Sequence, residues 1–232
     1  MSDDTSVCVQ DQSRLDPIRG CMTNFLKPSA SEWANTSLST RSVAYSCGAI
    51  RRSGETFEHD HDPVEWKVCR QLSDEAARVM KDVEVGMGSS SYAFFNPFYL
   101  VASKGSKVPV VLTEEFLRAA FGGTLYPGMS IVIEPLEKRG AWWTKVREYL
   151  VDNDDALKDK EEMADGKTTL KRWNAMVRWF GAQTGLHGSA FVMMEGSHLS
   201  KPDWCCIDFP YIALGITNAG SLVGIWGPYC DH

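Results

Sequence analysis

The densest set of potential metal ligands in the sequence is His59-Asp-His-Asp62. Two histidines at alternate positions, His59 and His61, can present both imidazoles on one face of an extended segment, with Asp60 or Asp62 completing a shell. A metal-dependent enzyme built on that pair, with a distant acid and the preceding chain as lid, is one functional expectation. The bland alternative is a polar loop ahead of Pro63. Asp152-Asn-Asp-Asp155 starts like a calcium loop, but Leu157 stands at the sixth position of that register and Met163 at the twelfth, so an EF-hand is rejected. Cys205 and Cys206 are adjacent with no matching Cys pair, and Cys69, His187 and His198 show no nucleophile–base spacing. The sequence has no G-x-S-x-G, G-x-x-x-x-G-K-[ST], G-x-G-x-x-G or H-E-x-x-H. These residues call for no cofactor.

A second group of residues is suited to contact rather than catalysis. Trp226 ends the last apolar run and is followed by Gly-Pro-Tyr-Cys-Asp-His232. A short tail carrying Trp226, Tyr229, Asp231 and His232 is anchor material for an interface, where rigid aromatics dominate binding energy. Folding back onto a sheet is the equal alternative.

The elements that must position these residues read as follows. Positions 1 to 65 are rich in Ser and Thr, lack sustained periodicity, and are expected to form an irregular arm or lid; Ser42 to Cys47 alternates like a short strand. A domain is expected over 66–232. Val64 to Val85 repeats apolar residues at helical steps, with Ser73-Asp-Glu-Ala as an internal cap and Gly86-Met-Gly88 as the stop. Phe94 to Ala102 and Val108 to Leu112 read as strands, with Pro97 and Pro109 at starts or edges. Thr113 caps a helix to Phe121. Ile131-Val-Ile133 is a short strand. Trp142 to Met163 is helical, Gly166 a break, and Thr169 to Gln183 a second helix with Leu170, Trp173, Met176, Val177 and Phe180 as its apolar stripe. Ser189 to Met194, Ile207 to Thr217 and Ser221 to Trp226 are strands, the last two joined by a Gly-containing hairpin loop. Strands and helices segregate rather than alternate, so the expected fold is α+β: a mainly antiparallel sheet in an α/β/α sandwich.

Composition narrows the partners. The chain has 232 residues, 44% hydrophobic, with a net charge of -6 and seven cysteines. That balance disfavours nucleic acid and anionic membranes, both of which need clustered Lys and Arg. An odd number of irregularly spaced cysteines, no secretory pattern at Met1-Ser-Asp-Asp and no apolar run of membrane length point to a cytoplasmic, soluble chain.

From about Leu72 onward the order of features resembles the nuclease A inhibitor family, small acidic α/β/α proteins that block a metal-dependent, sugar-nonspecific endonuclease. Val85-Gly-Met-Gly-Ser-Ser-Ser-Tyr-Ala-Phe94 is similar to the family's Met-Ser-rich loop, and Pro97 to Ser106 to the strand after it. Leu170-Lys-Arg-Trp-Asn-Ala-Met-Val-Arg-Trp179 occupies the place of its long amphipathic helix. Ile207 to Ile225, containing Gly-Ile-Thr-Asn-Ala-Gly-Ser-Leu-Val-Gly-Ile, is similar to its last hairpin and is the most specific element. The resemblance implies a non-enzymatic protein-binding module, with a nuclease as partner. It implies a contact surface from loop residues Ser89, Ser90, Ser91 and Tyr92, the hairpin tip at Asn218, and the tail Trp226, Tyr229, Asp231 and His232. Ser89 stands where the family has an acid and His232 where it has Thr.

Overall fold

The computed structural model describes residues 42–44, 50–52, 62–83, 94–102, 107–120, 130–148, 150, 160–195 and 207–231. The elements are β1 (Ser42–Ala44), β2 (Ile50–Arg52), α1 (Pro63–Val79), β3 (Asn96–Leu100), α2 (Glu114–Ala120), β4 (Ser130–Pro135), α3 (Ala141–Arg147), α4 (Lys160–Ala182), β5 (Leu186–Glu195), β6 (Ile207–Thr217) and β7 (Leu222–Asp231). Strands β1 and β2 pair with each other. The other five form one sheet in the order β3-β7-β6-β5-β4, and every pairing is antiparallel. The α+β expectation holds over 62–227.

Helix α1 starts where chain chemistry requires it. Asp62 is the N-cap, its carboxylate accepting from the Val64 amide at 2.8 Å, and Pro63 occupies the first turn, where no amide partner is needed. The helix is continuous through Ser73 rather than capped there. Ser73 is fully buried and its hydroxyl donates back to the Arg70 carbonyl at 2.9 Å, a bond that leaves the helix intact. The helix ends at Val79 rather than Val85, because the chain turns through Met80 and Asp82, the latter at φ 63.

One sheet face carries Tyr99, Phe191, Met193, Tyr211, Ala213, Val223 and Ile225 against α1, α3 and α4. Phe191 is the hub. Trp142 stacks on it with ring centroids 4.7 Å apart, while Trp173 and Tyr211 meet it edge-on at 6.0 and 5.6 Å. Such pairs add about 0.5–1.5 kcal/mol each beyond area burial. The helical tryptophans Trp142, Trp143 and Trp173 are therefore core.

Two expectations need correction. Gly166 does not break the helix, since α4 runs through it from Lys160 to Ala182. A Cβ there would lie 2.3 Å from the Leu150 carbonyl oxygen, so glycine permits close approach of two backbones instead of ending one. Residues 108–112 are not a strand either. The 107–112 segment crosses the other sheet face near the hairpin end: the Pro109 carbonyl lies 3.1 Å from His187 Nε2, and Val108 packs over Gly220. It leads into α2, capped by the Thr113 hydroxyl through the Phe116 amide at 3.1 Å, and α2 packs beside β4.

Candidate partner-binding site

The β6–β7 hairpin carries Asn218, Trp226, Tyr229 and Asp231, four of the expected contact residues. Its tip is the three-residue loop Asn218-Ala219-Gly220, closed by Thr217 N–H to the Ser221 carbonyl at 2.8 Å and by Gly220 N–H to the Thr217 carbonyl at 2.9 Å. Gly220 sits at φ 92, the left-handed position such loops reserve for glycine. The Thr217 hydroxyl accepts from the Ser221 amide at 3.0 Å and donates to the Glu65 carboxylate on α1. Ser221 Oγ accepts from the Ala102 amide at 3.0 Å, tying in the end of β3. Thr217 and Ser221 are both buried.

Cys69 belongs to this cluster. It is fully buried and donates to Glu65 at 3.4 Å. Burial, and then the Glu65 charge beside it, push its thiol above the ordinary range and hold it protonated. His187 faces the opposite side of the sheet toward Pro109, so Cys69 and His187 form no dyad. The cluster is chemically a lock between α1 and the hairpin, and no pattern in the sequence pairs Glu65 with Thr217.

The hairpin also separates the expected contact residues. Asn218 is exposed at the tip. Trp226 lies midway along β7 and pairs with Ile212, six residues before Asn218, so the two are about 20 Å apart at the rise of an antiparallel strand. Trp226 is buried, 6% exposed, and its indole Nε1 has no hydrogen-bond partner. Tyr229 and Asp231 fall within β7, paired at Phe209 and Ile207 of β6, so residues 227–231 form strand rather than a free tail. The sequence missed this extension because Gly227-Pro228 reads as a stop. His59, His61, Ser89, Ser90, Ser91, Tyr92 and His232 lie outside the described residues.

One register pair brings the two remaining segments together. Asn96, at the start of β3, pairs with Trp226. The chain entering β3 and the chain continuing past Trp226 therefore share one end of the sheet. Phe94, just ahead of β3, is 48% exposed there. The hairpin tip, with exposed Val110 and Val111 near it, occupies the other end.

Among the described residues there is no group of three or more His, Cys, Asp and Glu side chains arranged to hold a metal ion. Also among them, no helix is long and apolar enough to cross a membrane. No protein-family model matches the chain, and no curated protein matches it.

Proposed function

We propose that this chain is a protein-binding module that acts on a metal-dependent, sugar-nonspecific nuclease through the sheet end where β3 begins and β7 finishes. The Asn96–Trp226 pair carries the reading, because it sets Phe94 and Phe95, just ahead of β3, near the part of β7 that follows Trp226, two stretches remote in sequence. Exposed Phe94 at that end is the kind of aromatic that anchors an interface. The resemblance of Ile207–Ile225 to the inhibitor hairpin supports the choice of partner. So does the net charge of -6, which suits a partner that binds polyanions. Asn218 is left out of this surface by its position at the opposite end.

The test is capture from native extract and inhibition of purified nuclease by the full chain, beside a Phe94→Asp, Tyr229→Ala variant and a Val110→Asp control at the other end. The reading expects the first variant to lose inhibition by about tenfold or more, the scale of one interface anchor, with the control unchanged. A wild-type chain that neither captures nor inhibits any nuclease sinks it.

A further inference from the structure

We draw no further inference here: the strongest candidate, the outward row of exposed cations Lys167, Lys171 and Arg178 on α4, is the solvated face of an amphipathic helix, and nothing in the structure shows what covers it.

Discussion

The carboxylate of Glu65, in the first turn of α1, accepts a hydrogen bond from the hydroxyl of Thr217, 152 positions later at the mouth of the β6–β7 turn. The same oxygen receives the Cys69 thiol, and the Thr217 hydroxyl in turn receives the Ser221 amide. Helix and hairpin are thereby joined through one partly buried acid, and the hairpin's register is held at its tip.

Removing one side of the lock leaves the other unsatisfied. Thr217→Val and Glu65→Ala should each cost about 1–3 kcal/mol in urea unfolding, and the double variant should cost clearly less than the sum. Strict additivity would show that the two groups do not interact.

Cys69 makes a pH prediction with a definite sign. Its folded-state thiol titrates above the unfolded value of about 9.0, so the folded chain holds the proton more tightly. That contribution is complete below the unfolded value and is lost as pH rises above it, at up to about 1.4 kcal/mol per pH unit. Cys69→Ala should flatten the alkaline limb of the stability profile. An aromatic disulfide reagent should label Cys69 only when the chain is unfolded, and rapid labelling of native protein would contradict this picture.

Two glycines in α4 should respond oppositely to alanine. Gly181→Ala meets nothing within 4 Å and should gain up to about 1 kcal/mol of stability from helix propensity. Gly166→Ala forces a Cβ against the Leu150 carbonyl and should lose about 2 kcal/mol or more despite the same propensity gain. Thermal melts of the two variants decide it; equal shifts would mean that Leu150 does not approach α4 this closely.

Trp226 separates packing from hydrogen bonding. Because its buried Nε1 has no partner, Trp226→Phe removes an unpaired donor along with some ring volume and should stay within about 1 kcal/mol of wild type. Trp226→Ala should cost about 3–5 kcal/mol through the cavity it leaves. A severe loss in the Phe variant would reveal a partner for the indole.

Much of the architecture was determined by sequence alone, wherever local signals and burial agree. The α4 stripe of Trp173, Met176 and Phe180 is buried as its spacing predicts, Thr113 caps α2, and Ile207–Thr217 is β6 at both predicted ends. Periodicity and caps report on neighbours a few residues apart, and there they suffice. Glycine and proline misled where their role depends on a distant strand or helix. Gly166 answers to Leu150, and Pro228 stands opposite Pro210, so each reads as a break in one dimension while serving the middle of an element in three. The expected contact residues show the same division. The sequence offered Asn218 and Trp226 together, eight positions apart, but the rise of a strand sets them about 20 Å apart. Only the pairing of Asn96 with Trp226, set by long-range ladder bonds that no local pattern encodes, decides which segments share an end.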